Sequence, residues 1–218
     1  MLGRSYCPEC HHELRLVDVL PVLGYVINRG KCHFCGKKIA INYLLIEIFG
    51  GAMFVASYLL IGLEWELVVA LIMISVLIAE SISDYRSMII LDWIWIIGII
   101  PLMIFRLIQG DFWIYLLSSA GMFGLMLLLA LFGKWVFKKE AIGGGDVKLY
   151  LFIGFCITIW QGLLSLFLAS LFGLIYALTR KNRQNRILPL VPFILLGTIV
   201  AYFFGQALID WYLLLLGV

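Results

Sequence analysis

A chain of 218 residues that is 64% hydrophobic and 13% charged, with a mean hydropathy of +1.07, carries more apolar surface than a soluble fold of its size can bury. Globular chains average about 45–50% apolar and about 25% charged residues, so a soluble enzyme is excluded and a protein with several membrane spans is expected. The net charge of +3 makes no case for nucleic acid as a partner.

Residues 1–42 read as a polar head. The first ten lead straight into a cysteine pair and show no cleavable signal pattern. Cys7 and Cys10 (CPEC) and Cys32 and Cys35 (CHFC) form two CxxC pairs with 21 residues between them. Two such pairs about 15–20 residues apart are the usual pattern of a four-thiolate zinc site. Each pair makes a tight knuckle, and Pro8 and Gly36 suit those turns. Two disulfides or a redox pair are the alternatives, and disulfides need an oxidising compartment. His11, His12 and His33 stand near the thiols as possible substitute ligands, although four thiolates suffice. Between the knuckles, Leu16 to Asn28 is too short, and too interrupted by Asp18, Pro21 and Gly24, to span a bilayer. It suits a small amphipathic segment at the membrane surface or packed on the zinc head.

From residue 43 the chain is a series of apolar runs: 43–62, 67–83, 92–108, 112–132, 147–160, 162–179 and 188–208. A span needs roughly 20 apolar residues, so about seven transmembrane helices are expected, with 147–160 short and the tail extending the last helix. The fold class is therefore an all-α, multi-pass membrane protein, a zinc head over 1–42 and a membrane domain over 43–218. The seven tryptophans fall near run ends, as interfacial anchors do. Cys156, alone in an apolar run, reads as a buried hydrophobe.

Alternating the runs across a membrane puts the head and the segments 84–91, 133–146 and 180–187 on one side. Counting Lys148 with them, that side holds 15 of the 16 Lys and Arg residues, all but Arg106. The positive-inside rule makes it the cytoplasm. A reducing compartment for the thiols favours zinc over disulfides.

The same alternation brings two acids to one face. Asp84 ends the second apolar run, and Asp146 opens the fifth behind Gly143-Gly144-Gly145. Two close carboxyls cannot both ionise easily, so one keeps a proton while the other is a base. Such a pair can activate water and protonate a leaving amine. Each acid also has a structural reading. An Asp at a helix start caps it, which covers Asp146 and Asp92 well and Asp84 poorly. Glu80, one turn before Asp84, can perturb that acid, bind a substrate group or face water. Glu47 is a second acid within an apolar run. Lys148 either offsets charge at the site or snorkels.

Together these features resemble the type IV prepilin peptidases, the bifunctional leader peptidases and N-methyltransferases of the membrane aspartic GxGD class. The resemblance runs over nearly the whole chain: CPEC and CHFCG in order, Asp18 to Leu23, Arg29-Gly30-Lys31-Cys32, Asn42-Tyr43 through Glu47, Asp84 to Asp92, and Gly143, Gly145 and Asp146 as GxGD. It implies Asp84 and Asp146 as catalytic, with Gly143, Gly145, Lys148 and Glu80 supporting them. Cys7, Cys10, Cys32 and Cys35 become zinc ligands. Gly30 and Glu47 become methyltransferase candidates, with S-adenosylmethionine as methyl donor. The implied substrates are prepilins or pseudopilins, cut after Gly at the cytoplasmic face of the bacterial inner membrane. Acids such as Glu9, Glu13, Asp18 or Glu80 would receive the basic leader. Two departures stand out. The family usually carries a transmembrane helix ahead of the zinc head, which this sequence lacks, and Leu91 stands where the family often has Pro. The rival reading is a zinc-headed transporter or assembly scaffold; transport acids belong near the midplane, whereas Asp84 and Asp146 fall at one face.

Overall fold

The computed structural model describes residues 5–138, 142–179 and 188–216. Among these the regular structure is helical, with two isolated bridges and no strand. The helices are α1 (Leu16–Val19), α2 (Leu23–Ile27), α3 (Ile41–Ile61), α4 (Trp65–Ser87), α5 (Asp92–Gln109), α6 (Phe112–Phe137), α7 (Gly144–Cys156), α8 (Ile159–Thr179) and α9 (Val191–Leu216). The chain divides into two compact units, Met1–Ala56 and Ser57–Val218, with the division inside α3.

The seven apolar runs correspond one for one to α3–α9. Six of these helices are long and apolar enough to cross a membrane; the exception is α7, with 13 residues. At 1.5 Å per residue it is about 20 Å long, short of the about 30 Å hydrocarbon layer. Lipid cannot satisfy free backbone groups, so a helix that ends early must end inside protein. Nine of its residues are buried. Ser118 Oγ donates to Ile157 O at 2.8 Å and Ser119 Oγ to Leu151 O at 2.6 Å, so α6 supplies donors along α7. The two backbones meet at Gly154, where a Cβ would stand 2.3 Å from Ser119 Cα; only glycine permits that approach.

The rest of the second unit's core comes from α4, through Val69, Ala70, Met73, Ile74 and Leu77, and from the inner faces of α5, α8 and α9. Ser165 Oγ and Thr198 Oγ1, 2.7 Å apart, join α8 to α9. Large apolar side chains on the outer faces, such as Ile97, Leu117 and Phe167, are exposed, as a lipid-facing surface requires. Trp65, Trp93, Trp113, Trp135, Trp160 and Trp211 are exposed near helix ends. The tail does extend the last helix, to Leu216. Of the charges counted for topology, Arg4, Lys139, Arg180, Lys181, Arg183 and Arg186 lie outside the described residues.

In the first unit, Leu16 to Asn28 breaks into α1 and α2 around Pro21, with Val22 at φ 63°. Leu16, Leu20, Leu23, Val26 and Ile27 are exposed.

Candidate active site and candidate metal centre

The four head cysteines converge. Their sulfurs all lie within 4.8 Å of one another, Cys7 and Cys35 being 4.0 Å apart, and none is in a disulfide. A tetrahedral zinc with Zn–S of about 2.3 Å needs sulfurs about 3.8 Å apart, so the donor set fits the ion. The two knuckles are copies of one turn. Cys7 N–H donates to His12 O and His11 N–H to Cys7 O, at 3.0 and 2.9 Å; Cys32 N–H donates to Lys37 O and Gly36 N–H to Cys32 O, at 2.8 and 2.9 Å. Bridges Tyr6–Glu13 and Lys31–Lys38 close the two turns. Both need a left-handed residue at the same place, filled by Gly36 (φ 70°) in one and His11 (φ 54°) in the other. His12 lies against the Phe34 ring, with centroids 3.6 Å apart, and the Arg15 guanidinium sits 5.2 Å over the same ring.

Backbone N–H groups of Cys10 and Glu9 bring the Cys7 thiol down to about 7. Cys10 is pulled down by the His12 backbone, but burial and the neighbouring sulfurs outweigh this and push it up to about 11.

Beside the knuckles is a cavity of about 380 Å³ whose lining includes Asp18, Tyr25, Asn28, Lys31, Tyr43 and Glu47. Glu47 Oε2 accepts the Val22 N–H at 2.8 Å, stabilising that strained left-handed turn. Asp18 accepts Asn28 Nδ2 at 2.7 Å and Arg15 N–H at 3.0 Å. Burial raises its carboxyl, but these hydrogen bonds and the Arg15 charge win and hold it below the usual carboxylate range. Gly30, at φ 68°, lies under the Tyr25 ring; a Cβ there would be 2.8 Å from the ring carbon Cζ. Gly30 and Glu47, 17 positions apart, thus both shape this cavity.

In the second unit, Asp84 sits in the last turn of α4 and Asp146 in the first turn of α7, 7% and 9% exposed. Asp84 is among the charges acting on Asp146. Asp84 Oδ2 accepts the Val191 N–H at 3.0 Å. Asp84 thus satisfies the free amino end of α9 from another helix, a partner 107 positions away that no residue type announces.

The three glycines before Asp146 are not equivalent. A Cβ on Gly143 would stand 3.2 Å from Asp146 Oδ2, and one on Gly145 would stand 2.9 Å from Ile90 Cβ. One on Gly144 would meet nothing within 4 Å. Only the outer two are confined, as the pattern GxGD expects.

Ile90 belongs to the short link from α4 to α5, held by α4 itself. Glu80 is fully buried; its Oε2 accepts the Leu91 N–H at 3.0 Å, and Ser83 Oγ donates to Ile89 O at 2.6 Å. Glu80 Oε1 has no hydrogen-bond partner among the described residues. Glu80 therefore neither faces water nor offers a surface acid for a basic leader. Glu9 pairs with Lys37, and Asp18 is engaged as above. Lys148 pairs with Asp92 at 2.7 Å, both side chains about half exposed, so it links the starts of α5 and α7 while Trp95 Nε1 donates to the other Asp92 oxygen at 3.2 Å. Reading the sequence misses the roles of Ile90 and Val191. It singles out Arg106 as the one basic residue on the far side, and that side chain is fully buried.

Residues 1–61 match the Bacterial Peptidase A24 N-terminal domain, and residues 71–178 match the Type IV leader peptidase family. The chain is 32% identical over 216 residues to the prepilin leader peptidase/N-methyltransferase of Bacillus subtilis (strain 168), covering 96% of this chain and 85% of that protein. It is 33% identical over 223 residues to the type 4 prepilin-like proteins leader peptide-processing enzyme of Escherichia coli O78:H11, covering 93% and 76%. The prepilin leader peptidase/N-methyltransferase of Aeromonas hydrophila is 28% identical over 222 residues, covering 98% and 76%. No solved structure matches the chain. With both family regions in order, and a relative above 30% identity aligned along nearly its whole length, this multi-pass membrane protein belongs to the type IV leader peptidase family.

Proposed function

We propose that this protein is a membrane-embedded aspartic endopeptidase that removes the leader of type IV prepilins or pseudopilins. Cleavage follows Gly at the cytoplasmic face of the inner membrane, and Asp84 and Asp146 are the catalytic pair. The names of the relatives support the substrate class. The observation that carries the chemistry is that two nearly buried carboxyls, at the end of α4 and the start of α7, lie near enough for the Asp84 charge to act on Asp146. One carboxylate takes a proton from water as its oxygen attacks the scissile carbonyl carbon. The other carboxyl gives its proton to the leaving amine nitrogen as the C–N bond breaks. A carboxyl pair working in this way titrates as a unit. Gly143 and Gly145 admit Asp146 to its place, and Glu80 holds the link that Gly145 packs on. The basic residues of the charge count support the cytoplasmic assignment.

The same reading gives the head over 1–42 a structural zinc held by Cys7, Cys10, Cys32 and Cys35, and gives 43–218 the peptidase. It also includes N-methylation of the new amino terminus, as the relatives' names suggest. S-adenosylmethionine would supply a methyl on a sulfonium sulfur: the N–CH3 bond forms as the S–CH3 bond breaks, the sulfur leaves as a neutral thioether, and the nitrogen gives its proton to solvent. The head cavity fits such a donor: at about 380 Å³ it lies within the about 300–1,000 Å³ of small-molecule sites. It also sets aromatic rings beside acidic and basic side chains. Tyr25, Tyr43 and Glu47 line it and would hold the donor, and Gly30 keeps the Tyr25 wall clear.

The test is a processing assay on the full chain in detergent, with a peptide carrying a basic leader, a Gly and an apolar helix. Wild type shortens the peptide after Gly, and Asp84→Asn and Asp146→Asn, folded, do not. Cleavage by both variants at the wild-type rate would remove the aspartic reading and move the transporter or scaffold reading forward. Added S-adenosylmethionine increases the product by one methyl mass.

A further inference from the structure

At the ends of α4 and α7 away from the two aspartates lies a buried charge that the proposed chemistry does not use. Arg106, in the last turn of α5, has no exposed surface. Nη1 and Nη2 fork onto Glu66 Oε1 and Oε2 at 2.5 and 3.2 Å. Nε and Nη2 reach Phe155 O at 3.5 Å and Cys156 O at 3.4 Å. Nη1 also donates to Gln109 Oε1 at 3.1 Å. The guanidinium lies 3.5 Å from the Tyr115 ring centroid. Tyr202 Oη donates to Glu66 O at 3.0 Å and contacts Glu66 Oε2 at 3.3 Å.

Each partner has a reason to be there. The turn after α7 is buried, Cys156 and Ile157 being 2% and 1% exposed. The last carbonyls of a helix have no partner within it and cannot be left bare in an apolar layer. A guanidinium can serve two carbonyls and a carboxylate at once, because its donors form a rigid planar fork. Burying that cation requires a counter-charge, which Glu66 provides. Glu66 is in the first turn of α4. So one residue ties the start of α4, which bears Asp84 near its other end, to the end of α7, which bears Asp146 at its start.

We infer that Arg106, through Glu66 and the α7 terminal carbonyls, sets the depth of α7 against α4 and is a positioning residue for the Asp84–Asp146 pair. The inference rests on the proposed peptidase chemistry. Because α7 is too short to span the hydrocarbon layer by itself, its place along the bundle depends on contacts with its neighbours, of which these and those of Ser118 and Ser119 reach its far end. Acid-pair chemistry is sensitive to placement: a displacement of about 1 Å from a remote change can cost about 100-fold in rate.

The experiment uses the full chain in detergent or lipid nanodiscs, with the leader peptide above. Arg106→Met is expected to lower kcat between about ten- and about 100-fold with KM largely unchanged. It should also move the pH–rate profile, because the coupling of the two carboxyls depends on their separation. Arg106→Lys, which keeps the charge but loses the fork, recovers part of kcat. Glu66→Gln moves kcat and the profile the same way, and if Arg106→Met does not fold, these two carry the test. Folded variants with wild-type kcat and profile overturn the inference. So does a kcat loss with an unmoved profile that tracks lost helix content, since that is a stability effect alone. Asp84→Asn and Asp146→Asn run alongside separate the two claims. If they are inactive while the Arg106 and Glu66 variants behave as wild type, only the clamp falls; if they cleave, the acid pair falls and the clamp with it.

Discussion

Gly145 lies against Ile90 so closely that a Cβ would stand 2.9, 3.0 and 3.1 Å from three of the isoleucine's carbons. Ile90 Cβ is fixed to the backbone of a link held by Glu80 and Ser83, so it cannot swing aside. Adding a methyl group to Gly145 must therefore shift the start of α7 and Asp146 with it. Gly145→Ala is expected to lower the cleavage rate at least about tenfold, about 1.4 kcal/mol of barrier. Gly144→Ala, where the methyl meets open space, stays near wild type. Ile90→Gly added to Gly145→Ala, which removes the opposing Cβ, restores part of the rate. Equal losses for Gly144→Ala and Gly145→Ala would show that loop flexibility, not this contact, matters.

Glu80 acts through an acceptor oxygen. Glu80→Gln keeps a carbonyl for the Leu91 N–H, and its rate is expected within a few-fold of wild type. Glu80→Leu leaves that N–H without a partner, at a cost of about 1–3 kcal/mol, and loosens the link under Gly145; its rate falls at least about tenfold. A Gln variant as poor as the Leu variant, both folded, would show that the carboxyl's proton or charge is what counts.

The two knuckles predict an asymmetry between His11 and Gly36. A left-handed residue other than glycine costs about 1–2 kcal/mol. His11→Gly is therefore expected to retain zinc, measured as one metal per chain, and to raise the melting temperature of the head. Gly36→Val introduces that strain and weakens metal retention against a chelator. Loss of zinc in His11→Gly would make His11 a ligand.

Asp18 sets an acid limit on the head. Its carboxyl is held below the usual carboxylate range by Asn28 and Arg15, against the effect of burial. A depressed folded-state value stabilises the fold fully above the unfolded value of about 3.9, and that stability is lost as pH falls through the folded value. Melting temperature followed from pH 6 to about pH 3 should drop more steeply in wild type than in Asp18→Asn. Parallel curves would remove Asp18 from the head's acid response.

The exposed Lys148–Asp92 pair should matter little. Surface ion pairs are worth about 0–1 kcal/mol, so Lys148→Ala is expected to keep most of the cleavage rate. A loss beyond about tenfold would give Lys148 a role toward the substrate.

The sequence by itself determined the class of protein and the candidate residues for its chemistry. Composition excluded a soluble fold, because so much apolar surface has nowhere to go but lipid. The apolar runs located α3–α9, since a span's length is set by the bilayer. The spacing of Cys7, Cys10, Cys32 and Cys35 marked a four-sulfur site, because a tight knuckle can be read within four residues. Asp84 and Asp146 were visible because a carboxylate at an apolar segment's edge is costly without a task. Tertiary structure alone decided how these parts are held. Asp84 is held by the Val191 N–H, and every residue but proline carries such a donor, so no residue type marks it. Gly145 is confined and Gly144 is free because of where Ile90 packs. Glu80 proved buried, and Arg106, conspicuous as the odd charge in the topology count, proved buried against the last carbonyls of α7. Local spacing is encoded in neighbouring residues; contacts between helices depend on packing that only the folded bundle specifies.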